Sequence, residues 1–271
     1  MLYGYVKLFL AQIFLFFAQE ERTVDHKRIW EIALQQSAVD LNCKAENFFG
    51  GENRVVVSQD HPDAKKYYKL PHVCQMVSYG PCVIASVRED VKDAVERYLK
   101  KVPASHAFET PNLHELDALV RPYGLKSWFM GECFLPEAEK LQPLSCGYEM
   151  RLLQQPDFAG LYLPQWSNAL CEDRKQLDVL GIGAFDGDEM VGFAACSADG
   201  VEMWQIGVDV LPEYRRKGIA AALTSRLALE ILKRGKVPFY SAAWCNVASV
   251  RNAIKCGFRP AWVELGFRQT D

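Results

Sequence analysis

The sequence of 271 residues lacks several features that would point directly to a function. No two of its nine cysteines have the C-x-x-C spacing, and its five histidines are scattered along the chain. It has no long run of lysine and arginine, and its formal net charge is -3. Without clustered cysteines and histidines, the sequence does not support a zinc site. Without a run of basic residues, it does not favour broad binding to nucleic-acid phosphates. We therefore predict neither a bound metal nor a nucleic-acid partner.

The cysteines follow a pattern that is typical of a reducing compartment. Their number is odd, and many lie within apolar runs, as Cys196 does at the end of the run 191–196. A free cysteine behaves as a small hydrophobic residue, and disulfides are rare in reducing compartments. The pattern predicts a cytoplasmic protein.

Residues 1–18 are almost wholly apolar, and only Lys7 and Gln12 interrupt them. The run is shorter than the roughly 20 residues of a spanning helix. It also lacks the early positive charge and the A-x-A site of a signal peptide. Three alternatives stay open: a helix packed on the protein, a membrane-proximal anchor, or a start codon placed too early. We favour the first and the third, so a membrane partner is not expected.

The length of the chain suits two domains, and a polar stretch flanked by prolines, 136–143, indicates the boundary. We predict an N-terminal α/β domain of unknown role over 1–145 and a second domain over 146–271. Periodicity in the first domain predicts helices over 23–41, 89–101 and 112–120, and strands over 54–57, 73–77 and 83–87. This domain carries no motif with a chemical meaning, and Trp128 and Phe129 are expected in its core.

The second domain has a more regular pattern. Tight turns at Asp186-Gly187 and Asp199-Gly200 separate the strands of an antiparallel meander. Predicted strands cover 148–153, 179–185, 190–197, 201–210, 238–244 and 258–267; predicted helices cover 156–177 in part, 218–234 and 247–256. We predict an α/β fold of the α+β type, with a mixed, mostly antiparallel sheet flanked by helices.

A basic loop, Arg215-Arg216-Lys217-Gly218-Ile219-Ala220, connects a predicted strand to a predicted helix. The first N–H groups of a helix have no partners within it, so together with the helix dipole they form an anion site. Gly218 lets the backbone approach a phosphate, and the small Ala220 leaves room for a bulky ligand. The loop predicts a pyrophosphate site, with a basic surface turn as the alternative.

A second block, Asn246-Val247-Ala248-Ser249, begins a helix that ends at Gly257-Phe258. Capping alone would explain Asn246 and Ser249 as well as ligand binding would. Taken in order, with a strand between them, the two blocks resemble the Q/R-x-x-G-x-G/A motif and the N-x-x-S…G-F block of the GNAT superfamily of acetyl-CoA-dependent N-acyltransferases. The resemblance extends from about Gly147 to the C-terminus.

The resemblance implies that an acetyl group moves directly from acetyl-CoA to a primary amine of a small molecule or a protein. It places acetyl-CoA in a V-shaped gap between the strands 201–210 and 238–244. The implied cofactor-binding residues are Val208, Val210, Arg215, Arg216, Lys217, Gly218, Ile219, Ala220, Asn246 and Ser249. Acetyl-CoA and the amine are the expected partners, and a homodimer is an open option.

The attacking amine must be neutral, so a general base or a chain of water molecules is needed. Glu202 and Asp209, on or near the strand 201–210, are the candidates for the base, although Glu202 follows a turn where a solvated carboxylate is common.

Many members of the superfamily carry a tyrosine seven residues after the asparagine, where it protonates the leaving thiolate, but this sequence has Ala253 there. Candidates to replace it are Tyr240, Cys245, Ser249 and solvent. The missing tyrosine keeps a second function open, that of a non-catalytic protein which binds or senses acyl-CoA.

Overall fold

The computed structural model describes residues 25–270, which form a ten-stranded sheet with helices on both faces. The strands are β1 (Arg54–Val57), β2 (Cys74–Ser78), β3 (Val83–Val87), β4 (Leu125–Pro136), β5 (Glu149–Gln154), β6 (Asp178–Asp186), β7 (Glu189–Ser197), β8 (Met203–Val210), β9 (Val237–Ala243) and β10 (Phe258–Gln269). The α-helices are α1 (His26–Leu41), α2 (Lys92–Lys101), α3 (Thr110–Val120), α4 (Ile219–Lys233) and α5 (Val247–Lys255). The apolar run 1–18, and the helix expected there, lie outside the described residues.

The strand order in the sheet is β1-β3-β2-β10-β4-β9-β8-β7-β6-β5. Only the pairs β1–β3 and β8–β9 are parallel among the described strands. All other neighbours are antiparallel. The predicted fold class, a mixed and mostly antiparallel sheet flanked by helices, is confirmed.

The sheet runs through the predicted domain boundary at 145/146. β4, which precedes this boundary, lies between β9 and β10, which follow it. Its register with β10 extends from Pro136, opposite Phe258, to Leu125, opposite Gln269. The two-domain division therefore stays a prediction about the chain, while the described residues share a single sheet.

The sequence pattern does not predict β4. Trp128, Phe129 and Met130 are three large apolar residues in succession, which breaks the alternation typical of a half-buried strand. Trp128 and Phe129 were expected in the core, and this is wrong: their exposed fractions are 61% and 38%. The Arg268 guanidinium lies 3.9 Å from the centroid of the Trp128 ring, and this cation–π contact stabilises the ring at the surface.

The predicted helical part of 156–177 is also wrong in type. The chain there forms short 3-10 turns at Gln155–Phe158, Pro164–Trp166 and Glu172–Leu177 and no α-helix. Pro156 and Pro164 lack the N–H group that a longer helix would need. We call residues 155–177 the cover segment, because part of it lies over the sheet at β8.

The helices pack on two opposite faces of the sheet. On β9, Tyr240 and Ala242 belong to the core cluster that contains α4, whereas Val237 and Phe239 belong to the cluster that contains α1. Successive side chains of a strand point to opposite faces, so α4 and α1 lie on opposite sides of β9. None of the helices within residues 25–270 is long and apolar enough to span a bilayer.

Candidate active site

The sheet opens between β8 and β9. Their parallel register extends only from Met203, opposite Val237, to Ile206, opposite Tyr240, although both strands continue beyond it. The gap that results is the V-shaped gap expected from the resemblance.

The free edge of β8 presents backbone groups of Val208 and Val210 to this gap. The N–H of Leu211 donates to Val191 on the β7 side, and the carbonyl of Glu202 accepts from Val237 on the β9 side. Because the backbone groups of successive residues point to alternate edges of a strand, the even-numbered residues of β8 face β9. The backbone N–H and C=O groups of Val208 and Val210 therefore face the gap, where an extended ligand could pair with them.

The loop after β8 has the backbone geometry that an anion site would need. Arg216 and Gly218 have φ angles of 64° and 82°, in the left-handed region that is uncommon for a residue with a side chain. Gly218 is the N-cap of α4 and no side chain caps this helix. Its first N–H groups therefore stay available to an anion.

A cavity of about 290 Å³ lies beside this loop, and we call it the phosphate cavity after the ligand expected there. It is lined by Val210, Tyr214, Arg215, Arg216, Gly218, Ile219, Ala220, Ala221, Ala248, Arg251, Asn252 and Lys255. The set contains four cationic side chains and no carboxylate, which suits a ligand with several phosphates.

Arg251 and Lys255 join this site from α5, and sequence reasoning missed them. Their spacing of four residues places them on one face of a helix, which was the available signal. Lys217 differs from its expected role, because its Nζ lies 4.6 Å from the centroid of the Tyr214 ring and donates to the Tyr148 hydroxyl over 3.2 Å. It does not line the cavity.

A second cavity, of about 450 Å³, lies at the gap itself. It is lined by Phe129, residues 167–171, Arg174, Asp178, Ser197, Gln205, Ile206, Gly207, Val208, residues 240–243, Asn246 and Ser249. We call it the transfer cavity, because it joins the free edge of β8 to the polar side chains of β6, β7 and β9.

Tyr240 and Ser249 form a hydrogen-bonded pair at the transfer cavity. Their hydroxyl oxygens are 2.7 Å apart. Asn246 caps α5 by accepting from the N–H of Ser249 over 3.2 Å, which fixes Ser249 at the start of the helix. Burial raises the pKa of Tyr240 above its usual value, so the hydroxyl stays protonated at neutral pH and can donate a proton.

Asp209 has both carboxylate oxygens engaged by the cover segment. Oδ2 accepts from the N–H groups of Asn168 and Ala169 over 2.9 Å and 3.0 Å, and Oδ1 accepts from Nδ2 of Asn168 over 2.6 Å. Gly207 allows this approach, because a Cβ there would lie 1.7 Å from the carbonyl oxygen of Asn168. The geometry gives Asp209 the role of an anchor, whereas a general base needs an oxygen directed at the substrate.

Glu202 lies at the opposite end of β8 from the gap. It accepts from Arg28 on α1 over 3.3 Å, and both side chains are about half exposed. Six residues separate it from Val208, which is about 20 Å along a strand. The structure therefore does not bring Glu202 to the transfer cavity, and Cys245 is exposed and lines neither cavity.

A sheet that opens between two strands beside an uncapped helix N-terminus is compatible with an acyltransferase. The family model described as GNAT acetyltransferase matches residues 82–261. The chain therefore belongs to the GNAT acetyltransferase family. The match begins well before Gly147, where the resemblance in sequence begins, so it includes β3 and β4.

Solved structures of this superfamily are similar to the chain at low identity. A GCN5-related N-acetyltransferase-like protein from Streptococcus suis is 22% identical over 56% of this chain and 67% of its own, with a TM-score of 0.42. An acetyltransferase from Colwellia psychrerythraea is 18% identical over 59% and 63%, with a TM-score of 0.42. A protein from Salmonella typhimurium, solved with acetyl-CoA, is 20% identical over 45% and 94%, with a TM-score of 0.33. The chain thus spans about two thirds of the length of the first two. No curated protein matches it.

Proposed function

We propose that the protein transfers an acetyl group from acetyl-CoA to a primary amine. The observation that carries the proposal is the continuity of three features: the basic loop at α4, the free edge of β8, and the Tyr240–Ser249 pair. A ligand with phosphates at one end and a thioester at the other can contact all three. Membership of the GNAT acetyltransferase family supports acetyl-CoA as this ligand.

In this proposal the pyrophosphate binds the N–H groups at the start of α4, with Arg215, Arg216, Arg251 and Lys255 around it. The pantetheine arm extends along β8, where it pairs with the backbone of Val208 and Val210. An N–H group of this edge polarises the thioester carbonyl and stabilises the oxyanion that forms during transfer.

Tyr240 supplies the proton for the leaving thiolate. In many members of the superfamily a tyrosine at the position of Ala253 has this role. Its hydroxyl is buried, protonated and oriented by Ser249. The attacking amine loses its proton to water in the transfer cavity, because both oxygens of Asp209 are engaged.

The test measures thiol release from acetyl-CoA with a panel of primary amines. We expect turnover with at least one amine, and a fall in kcat of about 10- to 100-fold for Tyr240→Phe, since general acid catalysis contributes about 10²- to 10⁴-fold when no other donor replaces it. The KM for acetyl-CoA should change little. Tyr123→Phe, which removes a hydroxyl from a residue that lines neither cavity, is the control.

The alternative function is binding or sensing of acyl-CoA without catalysis, which Ala253 favours. It predicts tight coenzyme A binding, no thiol release with any amine, and no effect of Tyr240→Phe. We also propose that the protein acts in the cytoplasm, in keeping with nine free cysteines; fractionation of the full chain would test this. Sedimentation would show whether it forms a homodimer.

A further inference from the structure

The transfer cavity extends beyond the gap to a row of polar side chains on the sheet. Asp178 on β6 is the register partner of Ser197 on β7, and Ser197 is the partner of Gln205 on β8. Nε2 of Gln205 donates to Oγ of Ser241 on β9 over 2.8 Å. All four residues line the transfer cavity, and we call them the polar row.

Asp178 lies at the end of the polar row, and only one of its two carboxylate oxygens accepts hydrogen bonds. Its side chain is buried, at 1% exposure. Oδ2 accepts from the Tyr162 hydroxyl over 3.3 Å and from the N–H of Cys171 over 3.1 Å. Oδ1 of Asp178 and Oγ of Ser197 are buried without a hydrogen-bond partner within residues 25–270. An unpaired buried carboxylate oxygen is costly for folding. A ligand group that donates a hydrogen bond to this oxygen removes the cost and so binds more tightly.

The charges around Asp178 leave this oxygen without a cation of its own. Arg174, a cation that acts on Asp178, is paired with Asp199, and the other titratable groups that face Asp178 are Tyr162, Cys171 and Cys196. Arg174, Asp178 and Asp199 together carry one net negative charge. Burial raises the pKa of Asp178 to about 6, so the carboxylate is ionised at neutral pH. A cationic group fits this end of the cavity.

The position of Asp178 relative to the gap sets the shape of the ligand. β6 lies two strands from β8, which is about 10 Å across a sheet. Gln205, the β8 residue aligned with Asp178 through Ser197, lies three residues before Val208, so the separation of Asp178 and Val208 is about 14 Å. This is too far for Asp178 to take a proton directly from an amine that attacks at Val208. It suits the far end of an elongated acceptor whose near end reaches the thioester.

Resting on the acetyl transfer proposed above, we propose that Asp178 binds a second cationic group of the acceptor, so that the acceptor is a diamine or a larger amine with a remote positive charge. The remote ammonium donates to Oδ1 of Asp178 and to Oγ of Ser197. The near amine, once neutral, attacks the thioester carbonyl: its nitrogen bonds to the carbonyl carbon, the carbon–sulfur bond breaks, and the thiolate takes a proton from Tyr240. The nitrogen, which is cationic after the attack, then loses a proton through water to the Tyr240 oxygen, so that the neutral amide forms and Tyr240 is protonated again.

The test compares a linear eight-carbon diamine with the amino alcohol and the monoamine of the same chain length. For the unaltered protein we expect kcat/KM to be about 10- to 100-fold higher with the diamine, the factor that a hydrogen bond to a charged group supplies. Asp178→Asn should abolish this preference through the KM of the diamine and leave the KM of acetyl-CoA unchanged. Asp173→Asn, an exposed carboxylate of the cover segment, should keep the preference.

Equal kcat/KM for the three acceptors in the unaltered protein would overturn the inference, and so would a diamine preference that persists in Asp178→Asn. The first comparison does not depend on the folding of a variant, and coenzyme A binding by calorimetry shows whether the variant is folded. If no amine is acetylated, the proposed function fails by itself. Calorimetry with the diamine then decides the inference separately: binding that Asp178→Asn abolishes supports it, and no binding overturns it.

Discussion

The two sides of the gap between β8 and β9 are built in different ways. On the cofactor side, the loop that holds Arg215 to Gly218 follows β8 directly, and α4 follows the loop. On the acceptor side, Asn168 reaches Asp209 across 41 positions of sequence, and Asp178 comes from a strand two places away. In the proposed function, cofactor binding thus rests mainly on one continuous segment, which two cations of α5 join, whereas acceptor choice rests on contacts between distant segments.

Gly207→Ala should break the acceptor side and leave the cofactor side intact. The added Cβ would meet the carbonyl oxygen of Asn168, so the cover segment must move away from β8, and overpacking of this kind costs about 1–3 kcal/mol. We expect amine acetylation to fall by about 100-fold, the loss that a misplacement of about 1 Å produces. Steady-state rates and coenzyme A affinity are the measurements.

Gly147→Ala is the matched control for this change, because a Cβ at Gly147 meets no atom within 4 Å. An acetylation rate that survives Gly207→Ala would show that the position of the cover segment does not matter for transfer.

The double change Arg251→Ala and Lys255→Ala should weaken the cofactor side and leave the acceptor side intact. It removes two of the four cations at the phosphate cavity, so coenzyme A should bind about 10- to 30-fold more weakly, at about 1 kcal/mol for each exposed charge pair. The loss should shrink as salt rises, and kcat at saturating acetyl-CoA should stay within about twofold. Lys233→Ala, at the far end of α4, should have no effect on calorimetric affinity.

Asp178→Asn should stabilise the protein at neutral pH while it weakens acceptor binding. The pKa of Asp178 is raised from 3.8 to about 6 in the folded state, so the folded protein holds a proton that the unfolded chain has released between these pH values. Stability therefore falls as pH rises through this window, and the ionised carboxylate destabilises the fold above about pH 6. We expect the variant to gain about 1–2 kcal/mol at about pH 8 and little at about pH 4, by urea unfolding.

A loss of stability at both pH values would instead show that Asp178 serves the fold through Tyr162 and Cys171. In that case its effect on acceptor KM would have to be separated from local unfolding of the cover segment.

Glu202→Gln should have the smallest effect. Its ion pair with Arg28 is about half exposed, and such pairs contribute about 0–1 kcal/mol. The variant should therefore keep kcat, both KM values and nearly all of its stability. A fall in kcat of more than about tenfold would restore Glu202 as a candidate base.

Outside the cover segment, the helices α4 and α5 and the turn between β6 and β7 were predictable from sequence because local chemistry determines them. Gly218 starts α4, Asn246 caps α5, and Gly187 makes the turn between β6 and β7. β4 was not predictable, since its central position in the sheet depends on β9 and β10, which lie far away in the chain.

The candidate site divides in the same way. The residues that we propose to bind the cofactor through backbone groups, Val208, Val210 and Gly218, could be identified by their position on a strand or a helix start. The roles of side chains could not, because a carboxylate on a strand looks the same in sequence whether it accepts three hydrogen bonds, as Asp209 does, or leaves an oxygen unpaired, as Asp178 does.

By itself the sequence determined the loop from Arg215 to Ala220, the helix that follows it and the order of strands in the second half, since turn geometry and helix capping act over a few residues. Only the tertiary structure decided that the cover segment engages Asp209, that Arg251 and Lys255 join the phosphate cavity, and that Asp178 lines the transfer cavity. These depend on which strands become neighbours, and strand pairing joins residues that are far apart in the chain.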